Sequence, residues 1–384
     1  MVLLNLFHSK QRKIQKGILS IGVLFFGELA IADSLSFLNP FQLPNTPQTF
    51  YVNTQTLLMN DAFSIDGLFH DFKGRFYSQK FDYLAVEDRR YDIGTYISGL
   101  GYLGLTYRQE AVMKTSADTM LLVNQSSNDL DMTLDKNYNI ALTIEGFEVY
   151  GITLANTLNL YKDKEYSVKL GFAVELLHGT QTQHGNVYGN ATALSEKDYD
   201  FMFSSTYRYT ENHLYDLEVN SATSYGFSTH LSLLAQYRKF SLLVVGNDIF
   251  AKLYWKNLPY SYVTMSSDNK SYDENGYVEY SPVISGLEKE VTFTQTLIDK
   301  WKVEGSYALD ENTMHLGVEY IYDTYLPYVK YTYAYNENLV GSLSYETYFG
   351  MFGVDIHYKE YRFALYANGF SDTSALKFDI GWNY

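Results

Sequence analysis

The last nine residues of the chain, 376–384, alternate strictly between large apolar side chains and small, polar or charged ones. A repeat of two places one set of side chains on each face of a β-strand. The sequence therefore predicts a strand with one apolar and one polar face that runs to the last residue. The apolar members are Leu376, Phe378, Ile380, Trp382 and Tyr384.

This terminal pattern resembles the C-terminal signal of bacterial outer-membrane β-barrels, which end in an amphipathic strand with a terminal aromatic residue, usually Phe. Tyr384 departs mildly from that rule. The resemblance is to the class, porins included, and to no particular family within it. It implies a bacterial outer-membrane location and insertion by the barrel-assembly machinery, which would recognise the last strand through Phe378, Ile380, Trp382 and Tyr384.

The first 32 residues have the three parts of a cleaved secretory signal peptide. Four basic residues between Lys10 and Lys16 precede an apolar run over 17–27, and Ala30-Ile31-Ala32 supplies a small-residue cleavage site. The apolar run is far shorter than the ~20 residues that a spanning helix needs. We expect cleavage after Ala32 and exclude residues 1–32 from the fold.

Composition narrows the class further. The net charge of −15 argues against a nucleic-acid partner, which requires a basic surface, and permits attraction of cations.

The sequence has 38 Tyr, 24 Phe and no cysteine, and a mean hydropathy of −0.21. Beyond residue 32 no segment reaches 18 consecutive apolar residues. Because only helices and closed barrels can span a bilayer, a spanning chain of this kind must form a barrel in contact with outer-membrane lipid.

Alternating segments of about 9–12 residues, the length of a tilted membrane strand, recur along the chain and are separated by short polar turns. They predict an all-β, transmembrane, antiparallel up-and-down β-barrel of about 18 strands, with 14–20 plausible, over residues 49–384. Residues 33–48 contain three prolines and are expected to form a periplasmic lead-in or a plug. The segments Thr49–Met59 and Ile65–Tyr77 are interpreted as an early strand pair, and His178–Asp198 and Lys256–Gly276 as long external loops.

If the apolar set faces lipid, the alternate positions face the lumen and carry charges of both signs. In one interpretation they line a water-filled passage and set its selectivity. In the other they pair across strands and fill a wall without a dedicated substrate. The predicted pore-lining residues are Lys169, Glu175, Asp200, Arg208, His230, Arg238, Lys302, Glu304, His315, Glu319, Lys330, Glu346, Asp355, His357, Arg362, Lys377 and Asp379.

No motif for catalysis, phosphate binding or metal binding is present. Ser228 and Ser232 share a strand face with His230, but a hydrolase needs a third, orienting group that sequence cannot place. The acidic stretch between Asp268 and Asn275 does not match a calcium-binding loop, and a solvated external loop is the preferred interpretation. We therefore expect no enzyme, cofactor or metal.

The leading functional hypothesis is a porin-like channel for the passive passage of small hydrophilic solutes or ions. One alternative is a surface-exposed structural or interaction barrel with an occluded lumen, acting through the two long loops. The other is a ligand-specific transporter, with hydrophobic compounds as one candidate ligand class and Asp33–Gln48 as its gate.

Overall fold

A computed structural model describes residues 37–46, 49–70, 72–78, 82–196, 198–211, 222–267, 270–272, 278–280, 283–370 and 372–383. The predicted signal peptide and the terminal Tyr384 therefore lie outside the described residues, as does most of the acidic stretch after Ser267. Among the described residues, no helix has the length and apolar character needed to cross a membrane.

The described residues form 19 strands and two short helices. Helix α1 is Ile65–Phe69 and helix α2 is Ala117–Ser127. The strands are β1 Phe50–Asn60, β2 Tyr83–Ile97, β3 Gly101–Thr115, β4 Asn137–Lys162, β5 Tyr166–Ala193, β6 Tyr199–Tyr209, β7 Thr223–Tyr237, β8 Phe240–Asn247, β9 Lys252–Ser266, β10 Lys270–Tyr272, β11 Val278–Tyr280, β12 Val283–Thr296, β13 Lys300–Leu309, β14 Asn312–Ile321, β15 Thr324–Asn336, β16 Leu339–Glu346, β17 Phe352–Tyr358, β18 Tyr361–Ala367 and β19 Ala375–Asn383.

Seventeen of these strands belong to one antiparallel sheet that closes on itself, because β19 pairs with β1. The closing register runs from Tyr51 opposite Asn383 to Met59 opposite Ala375. Sixteen segments form the closed ring, and β12 is attached to β9 outside it. The predicted all-β antiparallel barrel is confirmed, and its strand number lies within the expected range.

Part of the wall departs from a simple meander because strands lie end to end. We call the end of the barrel where β19 finishes the lower end and the opposite end the upper end. The lower half of β5, residues 166–179, pairs with β7, and its upper half, residues 183–193, pairs with β6. Likewise, β8 pairs with β13 while the following strand β9 pairs with β12. The four-residue break 248–251 and the three-residue break 297–299 therefore interrupt two neighbouring strands at the same height of the wall.

The long strands correct one expectation about loops. His178–Asp198 was expected to be an external loop, but β5 continues through it to Ala193. Lys256–Gly276 was expected to be another, but β9 continues to Ser266. The alternating pattern weakens there because the upper parts of these strands present Asn, Thr, Ser and Tyr on the inner face instead of charges.

The outer face of the barrel is apolar. Register places Leu105, Leu176, Leu316, Leu343 and Ile356 on that side, with 42–68% of each side chain exposed. Aromatic pairs border this surface at both ends of the barrel: Tyr166–Tyr237 and Phe240–Tyr307 at the end where β19 finishes, and Tyr320–Tyr325 and Tyr345–Phe352 at the opposite end. An apolar band bordered at both ends by aromatic residues is the surface of a membrane-spanning barrel. This agrees with the resemblance of the terminal strand to outer-membrane β-barrels as a class.

The connections at the opposite end include a small folded cap. The expected strand Ile65–Tyr77 is wrong: the segment forms α1, capped by the side chain of Ser64, followed by irregular chain. Phe63, Phe72 and Tyr83 pack there with Met120 of α2 in a separate apolar cluster. Alternating side chains alone could not reveal that these residues pack on each other instead of extending a sheet.

A charge placed on the lipid face should destabilise the barrel. Leu365 lies on that face between Val354 and Phe378 and is 39% exposed. We expect Leu365→Arg to lower the free energy of unfolding in lipid vesicles by about 2–4 kcal/mol, measured by urea titration. The control Glu360→Arg, in the exposed β17–β18 turn, should change it little. Equal stabilities of the two variants would contradict a lipid-facing surface.

Candidate functional site in the barrel lumen

Register places most of the predicted pore-lining residues on the inner wall, and most of them are buried. Those with at most 7% of their surface exposed are Glu175, His230, Lys302, Glu304, Glu319, Lys330, Glu346, Asp355, Arg362, Lys377 and Asp379. Lys169 and His315 also face inward and are partly exposed. The inner wall therefore carries charges of both signs, but little of that charge is open to solvent.

Four predicted residues have other surroundings. Asp200 and Arg208 lie on the inner side of β6, which pairs with the upper half of β5. The Arg208 guanidinium lies over the rings of both Tyr260 and Phe293. His357 is exposed beside a cavity described below. Arg238 is not on the wall: it lies in the β7–β8 turn with a positive φ of 52° and pairs with Glu165.

In the half of the barrel formed by β13–β19, inward charges of opposite sign pair with one another. Lys377 binds Glu319, and Lys330 Nζ lies 3.3 Å from an oxygen of Asp355. Glu304 contacts both Lys302, at 3.2 Å, and His315 Nδ1, at 3.0 Å. These contacts match the interpretation in which charges form cross-strand pairs that fill the wall.

In the other half, a denser group of charges fills the interior, and most of it was missed from the sequence. We call it the ion cluster: Asp88, Arg90, Asp92, Arg108, Glu110, Glu175, Asp248 and Lys300. Only Glu175 was predicted. The signal was present as inward alternation over 88–92, but Glu87-Asp88-Arg89-Arg90 is a continuous run of charge in which a period of two is hidden.

Arg108 is the centre of the ion cluster. Its guanidinium contacts both oxygens of Asp248, at 2.9 and 2.7 Å, as well as Glu110 and Glu175. Arg90 bridges Asp92 and Glu175 from the neighbouring position. Planar guanidinium groups suit such two-point contacts with carboxylates. The side chain of Arg108 is 2% exposed, so it compensates the charges of Asp248, Glu110 and Glu175 away from solvent.

Lys300 supplies the third cation of the ion cluster. Its Nζ lies 2.9 Å from both Asp88 and Glu110, and the Tyr322 hydroxyl lies within hydrogen-bond distance of the same two carboxylates, 2.8 Å from Glu110 and 3.1 Å from Asp88. Asp248 reaches the cluster because it lies in the break after β8 with a φ of 57°, which turns its side chain out of the strand alternation. That break gave no signal in the sequence.

Residues 37–46, which we call the lumen segment, enter the barrel beside the ion cluster. Phe37 packs with Leu57 and Tyr322, while Leu38 and Leu43 pack against Tyr102. Pro40 lies over Gly171, where a side-chain Cβ would approach the proline Cβ to 2.9 Å. These contacts place part of the predicted 33–48 segment inside the barrel, and its role as a plug remains a proposal.

Apolar side chains also face the lumen. We call Phe147, Val149, Leu177, Leu253, Trp255, Leu258 and Leu297 the inner apolar patch; all are at most 8% exposed and pack together. The Arg108 guanidinium lies 5.6 Å from the ring centre of Phe147, so the patch directly adjoins the ion cluster. Inner walls of water-filled barrels are polar, so a patch of this kind distinguishes this lumen from an aqueous pore.

Two cavities lie in the half of the barrel formed by β13–β19. A cavity of about 820 Å³ opens beside Gln42, His315, Lys330 and His357. A much smaller one, of about 30 Å³, lies between Lys302, Glu319, Tyr328 and Lys377. The paired charges of this half therefore surround little free space at that point.

The geometry around His230 does not form a catalytic triad. Its Nε2 lies 3.2 Å from both Ser228 Oγ and Glu175, whereas a triad places the serine and the acid on opposite ring nitrogens. Ser228 donates its hydrogen to Asp248. No group of three or more His, Asp or Glu among the described residues could hold a metal ion.

No protein-family model and no curated protein matches the sequence. Among solved structures, a TodX deltaS2S3 mutant monoaromatic hydrocarbon channel is 8% identical, with 92% of this chain and 96% of that chain covered and a TM-score of 0.44. The CymD monoaromatic hydrocarbon channel is 8% identical, with 90% of each chain covered and a TM-score of 0.24. A Pseudomonas aeruginosa FadL homologue is 10% identical, with 88% and 89% covered and a TM-score of 0.22. All three scores are below 0.5, so the fold assignment rests on the strand pairing of this chain.

Removing the central cation should leave buried carboxylates uncompensated. We expect Arg108→Met to lower the free energy of unfolding by about 3–5 kcal/mol in lipid vesicles, measured by urea titration. Adding Asp248→Leu should recover part of this loss, because it removes one of the carboxylates that Arg108 compensates. A wild-type stability for Arg108→Met would show that the cluster is hydrated and not buried.

Proposed function

We propose that this chain is a bacterial outer-membrane channel for small apolar or amphipathic compounds, closed by the lumen segment. The observation that carries the proposal is the inner apolar patch, with Leu253 and Trp255 fully buried on the inward side of β9. Burial of these side chains excludes water from part of the passage, and an apolar solute replaces their mutual contacts at little cost.

The strand register supports the proposed outer-membrane location. Phe378, Ile380 and Trp382 lie on the outer side of β19, while Lys377 and Asp379 face inward. A barrel-assembly machinery would recognise the last strand by these outward apolar side chains. Export by a cleaved signal peptide over residues 1–32 belongs to the proposal and concerns residues outside those that the structure describes.

Packing supports the proposed closed state. The ion cluster fills one side of the lumen, the pairs around Glu319 and Lys330 fill the other, and the lumen segment occupies space between them. A passive, permanently open pore for hydrophilic solutes needs a continuous aqueous path, and the paired charges around the 30 Å³ cavity argue against such a path on that side of the lumen. The hydrophilic-channel hypothesis keeps one supporting observation, the polar cavity of about 820 Å³ beside His315 and Lys330.

The inner apolar patch can be tested by uptake of an apolar aromatic probe into Gram-negative cells that lack other channels for such compounds. We expect Leu253→Asp to reduce the uptake rate about tenfold, because a buried charge in the patch penalises an apolar solute. The control Tyr254→Asp changes the adjacent, outward and 46% exposed residue and should leave the rate nearly unchanged at equal amounts of folded protein. Uptake of small sugars that exceeds uptake of the probe would favour the hydrophilic channel.

Deletion of residues 33–48 tests closure by the lumen segment. In planar bilayers, we expect the wild-type mature chain to give few or no stable conductance steps, whereas the deletion variant should give frequent ones. Stable, cation-selective steps from the wild type would support the porin hypothesis instead. A folded deletion variant that neither conducts nor takes up the probe would indicate an occluded structural barrel.

A further inference from the structure

The side chain of Asn247 forms two hydrogen bonds with the backbone of a single residue in the lumen segment. The Leu38 N–H donates to Asn247 Oδ1 at 2.6 Å, and Asn247 Nδ2 donates to the Leu38 carbonyl at 2.9 Å. Asn247 is 2% exposed, so water does not compete for either bond. An amide offers one acceptor and one donor side by side, which is the pattern that a neighbouring strand offers to a peptide group.

The remaining contacts of the lumen segment are mostly apolar. Phe37 packs in the cluster around Leu57, Leu43 packs near Tyr102, and Pro40 rests on Gly171. Apolar contacts have little directional preference and tolerate sliding of the chain along the wall. The paired bonds to Asn247 fix both the height and the direction of the segment.

Asn247 is itself held by the ion cluster. It is the last residue of β8, where it lies opposite Lys300 in register. The next residue, Asp248, accepts hydrogen bonds from both terminal nitrogens, Nη1 and Nη2, of the Arg108 guanidinium and from Ser228. The backbone on either side of the Asn247 side chain is therefore tied to buried charges, and a shift of those charges would move the amide.

We propose that Asn247 is a latch: its side-chain amide holds the lumen segment in the closed position, and the ion cluster sets the position of the amide. This inference rests on the proposed function, in which the segment closes the channel. It assigns a positioning role to Asn247, a neutral residue. Because Asn247 contacts the backbone of the segment, the side chain at position 38 matters less than the N–H and carbonyl of that residue.

Accessibility of the segment tests the latch without reference to transport. The chain contains no cysteine, so Leu38→Cys provides a single reporter thiol. We expect a charged maleimide to label this thiol at least tenfold faster when Asn247→Leu is added to the folded protein in lipid vesicles. The control Asn53→Leu removes another inward amide, 2% exposed, whose side chain contacts Asp379 and Ile380 and not the segment; its labelling rate should equal that of the reporter alone.

A second variant keeps the test open if Asn247→Leu fails to fold. Leu38→Pro removes the N–H that donates to Asn247 and leaves every barrel strand unchanged. We expect it to raise the labelling of a Leu43→Cys reporter and the frequency of conductance steps. Where Asn247→Leu does fold, combining the two substitutions should add nothing further.

The outcomes separate the latch from the proposed function. Faster labelling in both variants without conductance or probe uptake would support the latch and overturn the channel. Unchanged labelling in folded Asn247→Leu and Leu38→Pro proteins, or an equal increase in Asn53→Leu, would overturn the latch. Deletion of residues 33–48 remains an independent test of the channel in either case.

Discussion

The hydrogen bonding of the backbone between β1 and β19 is the constraint on which the rest of this structure depends. Hydrocarbon offers no partner for a peptide N–H or carbonyl, so a sheet in a bilayer must close without a free edge. The nine paired positions between these strands close it. Once the ring is closed, each alternate residue is committed to lipid or to the lumen, and a shift of one residue would exchange the two sets.

Closure of the ring encloses the side chains that face the lumen. The charged ones among them must be either hydrated or paired. In this barrel they are paired, from the ion cluster around Arg108 to the contact between Lys377 and Glu319. Buried pairs contribute little net stability, but each becomes costly when one partner is lost. The interior is therefore specific in arrangement, and the lumen segment is attached to it by the two hydrogen bonds between Leu38 and Asn247.

The sequence was sufficient for the features that depend on local alternation. Lys377 and Asp379 face inward, and the apolar residues of β19 face outward, because the pattern there is regular. It was insufficient where geometry depends on distant residues. Asp248 joins the ion cluster through a strand break that has no local signature, and Asn247 meets Leu38 across 209 positions of the chain. The folded cap around Phe63 was missed because its apolar residues satisfy each other instead of alternating.

The unequal lengths of the strands have a consequence for assembly. Strand β19 has 9 residues and β18 has 7, whereas β4 and β5 have 26 and 28. At about 3.3 Å per residue, β5 is roughly 90 Å long, about three times the thickness of the hydrocarbon core. The short C-terminal strands can insert while few polar side chains cross the hydrocarbon core. Insertion of the β4–β5 hairpin, in contrast, requires its whole polar upper half to cross the bilayer. Translocation of that hairpin is therefore the step expected to limit the rate of insertion, and a partly built C-terminal sheet would have to wait for it.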